Sequence, residues 1–349
     1  MAYTTIDNPE LYFQTKLYTG TGSSNAITLD GSENMQPDLV WIKQRDISEN
    51  HMIYDSVRTA TKDIRSDGTY AENTNAQSLQ SFNSDGFTLG NLDNVNKSSG
   101  TFASWNWKAG GTASSNSNGS ITSSVSAGIT QGMSIVSYTG SGSNATIGHG
   151  LGVAPAMIMI KCRSRTEEWL VYHKSLGNTD ALSLHLNDAK STSSTYWQNT
   201  TPTSSVFSIG ANDKHNKSGE TFIAYCFADV KGYSKVSGSY VGNGNSNGSY
   251  IHLGFKPAFV MTKRSNNSEN WYIIDNKRSP FNPPLNALMA NLSHAEDTNA
   301  TGRIQDFLAQ GFKLRTSDTA VNGNGDTYIF MAFASSPFVT STSVPATAR

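Results

Sequence analysis

Charge is scarce in this sequence: Asp, Glu, Lys and Arg make up 15% of 349 residues, against roughly 25% in an ordinary globular domain. The charge is also balanced, Lys+Arg 26 against Asp+Glu 27, for a formal net charge of -1. With no basic run, the footprint of a nucleic-acid or anionic-membrane partner is missing, so neither nucleic-acid binding nor membrane insertion is expected. No apolar run approaches the roughly 20 residues that span a bilayer. The opening MAYTTIDNPE lacks the basic-then-apolar order of a signal peptide, and a soluble chain made in a cytoplasm is the expectation. Cysteine is nearly missing too. Cys162 and Cys226 lie inside the apolar runs MIMIKC and FIAYCF, which points to two half-buried thiols rather than a disulfide scaffold, and neither has metal-ligand spacing.

What fills the chain instead is Ser, Thr, Asn and Gly, with aromatics at 10% and six Trp. That composition describes a β-protein whose surface is made of hydroxyls and amides and whose core is large enough to fold. Three openings align: LYTGTGSSNAITLDGSENMQPDLVWIKQR, SYTGSGSNATIGHGLGVAPAMIMIKCR and SYVGNGNSNGSYIHLGFKPAFVMTKR. Each carries an aromatic, a Gly-x-Gly, a polar stretch, a Pro, a hydrophobic run and a Lys near an Arg. Tyr18 to Lys43, Tyr138 to Lys161 and Tyr240 to Lys263 are nearly equal spans. The match continues through HMIYDSVR, WLVYHKSLG and WYIIDNKRS, then through SDGFTLG, SSVFSIG and AQGFKLR. It closes on NKSSGT, NKSGET and NGNGDT, which lead into SGTFASWNWKAG, SGETFIAYCFADV and NGDTYIFMAFASS. Such self-similarity reads as a triplicated unit of about a hundred residues.

Within each unit, short runs rich in Val, Ile, Thr, Tyr, Phe and Trp alternate with Gly, Asn, Asp and Ser clusters, the pattern of strands and hairpins. The expected fold is all-β: three tandem homologous antiparallel β-sandwich units, jelly-roll or lectin-like. The expected organisation is an N-terminal arm 1-13, units at 14-110, 131-231 and 232-338, a Ser/Gly/Asn-rich flexible or extended linker at 111-130, and a C-terminal tail 339-349. Trp41, Ile160 and Val260 are expected to face equivalent cores. The variable stretches 59-80, 176-200 and 279-308 are either binding excursions or covers for sheet edges, and the last has room for a short helix.

Signals of catalysis are weak. A hydrolase needs a nucleophile or paired carboxylates beside a tuned base, and the seven His are scattered without an HExxH signature. His149 in IGHGLG reads as a turn residue. TGTGSS and TGSGSN lack the Lys-Ser/Thr ending and following helix of a phosphate loop, and read as turns. The acidic loops LDGSEN and NSDG have no recurrent set of spaced oxygen ligands for Ca²⁺. The reading is therefore a non-enzyme with no cofactor, no metal and no catalytic residues. The candidate contacts are Tyr196 and Trp197 with Asn199, because an aromatic pair in the polar stretch STSSTYWQNTTPT suits stacking on a sugar ring. The competing reading has the two rings plug the end of a sandwich.

MAYTTIDNPELYFQTKLYTG, QPDLVWIKQR, TIGHGLGVAPAMIMIK, FIAYCFADVKGYSKV, GFKPAFVMTKRS and YIFMAFASSPF resemble a family of virion structural or tail-fibre-like proteins of tailed bacteriophages, frequent in phages of marine bacteria and cyanobacteria. The resemblance covers essentially the whole chain. It implies a place in the virion, on the tail or the capsid surface, after synthesis in the bacterial cytoplasm. The implied partners are other phage tail or capsid proteins and a host surface glycan or receptor, with a homo-oligomer, such as a trimer, as the assembled form. A tail fibre or receptor-binding component leads, a capsid decoration or head-fibre protein is the alternative, and a polysaccharide depolymerase comes third.

Overall fold

The computed structural model describes residues 3-346. The protein is all-β, built from antiparallel sheets with only short helical turns. No helix among the described residues is long and apolar enough to cross a membrane. Three large sheets dominate. The first runs in the order Phe13–Thr19, Thr101–Trp107, Leu39–Gln44, Met52–Asp55, then the short strands Lys62–Arg65 and Asn73–Thr74. The second runs Ser114–Asn116, Ser123–Gly128, Met133–Thr139, Thr221–Phe227, Met157–Cys162, Trp169–His173. The third runs Ser234–Val241, Thr327–Pro337, Phe255–Arg264, Trp271–Asp275, Leu288–Met289. A block of four strands has the same order in all three sheets. Its register matches as well: Trp41 faces Trp105, Met159 faces Tyr225 and Met261 faces Met331.

Because successive side chains on a strand point to opposite faces, each large sheet serves two cores. One face of all three turns to a shared core holding Trp41, Trp105, Met159, Tyr225, Phe259 and Met261. At its centre Trp107, Phe227 and Phe333, which hold matching positions on the corresponding strands, form a triangle with ring centroids 5.7 to 6.4 Å apart. The opposite faces build three separate cores, each closed by a small sheet. Val40 and Ile42 meet Phe87 and Leu89, Ile158 and Ile160 meet Phe207 and Ile209, and Val260 meets Phe312 and Leu314.

This corrects the expectation for Trp41, Ile160 and Val260. Trp41 lies in the shared core, while Ile160 and Val260 lie in the separate cores of their own sheets. The position matching Trp41 is Met159 and Met261, and a slip of one residue along a strand flips the face. The stretch 111-130 is not a loose linker either. Ser114–Asn116 and Ser123–Gly128 extend the second sheet beyond Met133–Thr139, and Gly110 N donates to Ser126 Oγ at 3.0 Å. The N-terminal arm is packed from Tyr3 onward: Tyr3 Oη donates to Gly254 O at 2.7 Å, Ile6 enters the shared core, and Asp7 accepts from Ser341 N. Residues 1-2 and 347-349, parts of the expected arm and tail, lie outside the described residues. Within 279-308 the expected helix is a single 3-10 turn, Thr301–Arg303.

The turn motifs have one physical cause. In NKSSGT, NKSGET and NGNGDT the leading Asn96, Asn216 and Asn322 are fully buried. Each side-chain oxygen accepts from the middle N–H of a Gly-x-Gly, at Thr21, Ser141 and Asn243 (2.8 to 3.0 Å). Each side-chain amide donates to two backbone carbonyls nearby, Gly210 O and Ser143 O in the case of Asn216. The first glycine is required by close approach: a Cβ on Gly140 would sit 2.4 Å from Lys217 O. The second takes positive φ, +73° at Gly142.

Candidate functional site

The stretches 59-80, 176-200 and 279-308 each reach across to the next large sheet, the third returning to the first. Glu72 N donates to Arg163 O at 2.8 Å, Lys190 N to Ser265 O at 2.9 Å, and Glu296 N to Arg45 O at 2.7 Å. Ring N–H groups answer from the receiving sheet: Trp169 Nε1 donates to Arg65 O at 2.8 Å, Trp271 Nε1 to Ser183 O at 3.1 Å, and His51 Nε2 to Met289 O at 3.0 Å. The His51 tautomer follows, because its Nδ1 accepts from Trp41 Nε1 at 2.8 Å. Lys43, Lys161 and Lys263, all fully buried, donate to main-chain carbonyls at these junctions. Burial pulls each of the three down to about 8.

Two of the three seams are closed by an Arg–Glu–Arg bridge. Glu72 accepts from Arg163 at 2.8 and 3.1 Å and from Arg58 at 3.3 Å. Glu296 accepts from Arg45 at 2.7 and 3.1 Å and from Arg278 at 2.9 Å. Arg58 and Arg278 are buried against Asp55 and Asp275. The seam between the second and third sheets has none of this. Register places Leu176 where Arg58 and Arg278 stand, Lys190 in the place of Glu72 and Glu296, and Ser265 in the place of Arg163 and Arg45. A cavity of about 350 Å³ beside it is walled by residues that include Leu176, Lys190, Ser239, Tyr240, Ser265 and Thr327, and cavities of about 340 and 360 Å³ lie at the matching positions of the bridged seams, beside Ser137, Tyr138 and Thr221 and beside Arg45, Thr101 and Glu296. Arg163 donates to Ser137 Oγ at 3.1 Å. The matching residues here are Ser265 and Ser239, both of which line the cavity.

Lys190 is held by an ion pair with Asp180. This is a charge-reversed copy of Lys62–Glu72, 3.6 Å, in the first seam. Tyr240 stacks on Tyr328 with centroids 5.0 Å apart, and its hydroxyl donates away from the cavity to Val321 O at 2.8 Å. What the cavity offers is an apolar floor, several hydroxyls and one neutralised ammonium.

Tyr196 and Trp197 are elsewhere. Both are buried, 7% and 2% exposed, on the one-turn helix Ser194–Trp197. Trp197 Nε1 donates to Asp180 O at 3.0 Å, and its ring lies edge-on to Tyr172 at 5.4 Å. Neither face is free for a sugar, and of the three expected contacts Asn199 alone is exposed. The rings packed on Trp197, those of Tyr172 and His215, lie outside the stretch STSSTYWQNTTPT, so the polar neighbours in sequence do not reveal the burial.

Several side chains of the kinds used in catalysis are enclosed in the fold. His149, His173 and His215 are fully buried, each with a ring nitrogen against a main-chain carbonyl. Burial lowers His173 and His215 to about 4. Cys162 and Cys226 are free and fully buried, and burial pushes the Cys226 thiol up to about 12, away from nucleophilic use. Among the described residues no three His, Cys, Asp or Glu side chains converge as metal ligands.

Fold and site together define an all-β protein of several antiparallel sheets, in which two of the three junctions between the large sheets carry an Arg–Glu–Arg bridge and the third does not. The chain belongs to the family described as a domain of unknown function, DUF7483, which it matches over residues 8-337. No curated protein and no solved structure matches it.

Proposed function

We propose that the chain is a tandem array of three homologous β-sandwich units closed into an intramolecular trimer, serving as a non-enzymatic structural protein of a tailed-phage virion. Its place is the tail, as a fibre or receptor-binding component that contacts the host surface, and its partners are neighbouring tail proteins and further copies of itself. The observation that carries this is the threefold recurrence of strand order, buried lysines and turn asparagines around one core. With it goes the engagement of the buried His, Lys and Asn side chains in main-chain hydrogen bonds. Buried reactive groups tied up in this way build a scaffold rather than a reaction centre.

The near-threefold arrangement favours a second reading, a decoration protein seated at a threefold position of the capsid. Labelled antibody on whole particles separates the two. Label at the tail supports the first, label spread over the head moves the protein to the second, and no label on intact particles removes both. Sustained release of reducing sugar from host glycan by the pure protein would replace the non-enzymatic reading with a depolymerase.

A further inference from the structure

We propose that Asn118 is a site of spontaneous covalent modification: its side chain deamidates through a cyclic imide closed by the main-chain nitrogen of Gly119, and the product loosens the segment that covers strand Ala145–Gly148. The chain has five Asn–Gly pairs, beginning at Asn118, Asn243, Asn247, Asn322 and Asn324. Glycine favours the reaction because it leaves the attacking nitrogen unhindered and the main chain free to bend toward the side chain. Four of the five nitrogens are held. Gly244 N donates to Asn322 O at 2.9 Å, Gly248 N to Leu314 O at 3.1 Å and Gly325 N to Gly242 O at 2.9 Å. Gly323 N donates to Tyr328 Oη at 2.8 Å, and that hydroxyl in turn donates to Thr319 O at 2.6 Å. Gly119 N–H alone of the five has no hydrogen-bond partner among the described residues. Exposure does not make this distinction, since Asn243, Asn247 and Asn324 are exposed as Asn118 is.

The reaction needs only these two residues and water. The Asn118 side chain makes no hydrogen bond among the described residues, which leaves its Cγ free to approach Gly119 N. Gly119 N gives up its proton and attacks Asn118 Cγ; the N–Cγ bond forms, the Cγ–Nδ2 bond breaks, and ammonia leaves carrying that proton. Water then adds to one or the other imide carbonyl and leaves aspartate or isoaspartate, with no change of oxidation state. Either product adds a negative charge, and isoaspartate also lengthens the main chain by one carbon. The hold on the neighbouring strand begins one residue beyond Gly119. Ser120 N donates to Thr146 Oγ1 at 2.9 Å, Thr146 N to Ser120 Oγ at 2.8 Å and Ile121 N to Thr146 O at 3.1 Å. Ile121 packs against the separate core of the second sheet. A Cβ at Gly119 would collide with Thr146 O, so the main chain runs close against this strand and an extra carbon shifts the bonds that follow.

Peptide mapping by mass spectrometry of the full-length protein, incubated in mildly alkaline buffer, gives a rate at each of the five asparagines. The same incubation in urea gives the rate that each local sequence allows when unfolded. Held sites react only when the structure opens locally, so Asn243, Asn247, Asn322 and Asn324 are expected to be slowed about tenfold or more relative to urea, and Asn118 less than any of them. Asn118 slowed as much as the held sites, or any of the four outpacing it relative to its own urea rate, overturns the assignment. Hydrogen exchange reads the consequence. Once Asn118 is converted, the Ile121 amide is expected to exchange about tenfold or more faster. The Asn118→Gln variant, whose longer side chain closes such a ring far more slowly, is expected to keep its protection through the same incubation. Unchanged exchange at Ile121 in converted protein, or an equal loss of protection in Asn118→Gln, overturns the link between the modification and the segment.

Discussion

Trp105 on the first large sheet donates its indole N–H to Asp275 Oδ2 on the third at 3.0 Å. The corresponding position of the second sheet, Tyr225, donates to Asp55 Oδ2 of the first at 2.7 Å. His173 takes the third acceptor position and meets Phe330 O at 3.4 Å. These contacts tie the inner faces of the sheets together through the shared core, so no sheet completes its own burial.

A single cooperative transition should therefore describe unfolding of the whole chain, and residues 131-231 expressed alone should not fold as a monomer, because Met157, Met159, Tyr225 and Phe227 would face water. Trp105→Phe should cost about 1-3 kcal/mol, since it leaves Asp275 one donor short. Calorimetry of the full chain checks the first point: two or three resolved transitions would show that the sheets fold independently.

The turn asparagines make a sharper case. Asn216 donates to Gly210 O and Ser143 O at 3.0 and 2.6 Å, and an aspartate in its place presents oxygens to oxygens inside the protein. Asn216→Asp should cost more than Asn216→Ala, which loses only the bonds, with about 2-4 kcal/mol for the former. Equal denaturation midpoints for the two variants would count against the hydrogen-bond pattern drawn for this turn.

Much of this was legible beforehand. The turn motifs, the apolar strands and the Tyr-to-Lys span are local, and period-two patterning needs only neighbours. The shared core was not, because a strand with apolar residues on both faces, such as LVWIK, does not say which face meets which partner. Hence the pattern alone aligns Trp41 with Ile160 and Val260, whereas the register matches it to Met159 and Met261. The seams escaped notice for a related reason: Glu72 meets Arg163, and Glu296 meets Arg45, across long sequence separations. One signal was available. Arg58 and Arg278 stand in two of the three aligned runs HMIYDSVR, WLVYHKSLG and WYIIDNKRS at positions where the other has Leu176, and a charge present in two of three aligned segments marks the place where the third differs.

The response to pH follows from the buried bases. His173 and His215 sit near 4 in the fold, from an ordinary value of 6.5, so between those values the unfolded chain binds more protons and stability falls as pH drops. Each should contribute roughly 3 kcal/mol of acid destabilisation once pH is below about 4. Lys43, Lys161 and Lys263 sit near 8 against 10.5, so from about pH 8 upward the unfolded chain again binds more protons and stability rises. Burial raises Tyr18, Tyr138 and Tyr240 well above 10, which reverses the trend beyond that point. The expected maximum therefore lies near pH 10, well above the usual range. Denaturant midpoints measured from pH 4 to 11 test it, and a flat profile between 8 and 10 would mean that the three lysines stay charged in the fold.

The three seams should differ in strength as they differ in construction. Glu72→Gln removes the carboxylate shared by Arg163 and the fully buried Arg58. Asp55 still pairs with Arg58, so the cost should be about 2-3 kcal/mol, below that of stripping a buried charge completely. Lys190→Met at the unbridged seam touches an ammonium whose side chain is 40% exposed and whose only ion-pair partner among the described residues is Asp180. Solvent screening there keeps the change within about 1 kcal/mol. Salt should sort them the same way: 1 M NaCl weakens the exposed pair, while the Arg58–Glu72–Arg163 bridge, shielded by protein, keeps most of its effect. Equal losses for the two variants in denaturant titrations would mean that the bridged and unbridged seams carry the same load.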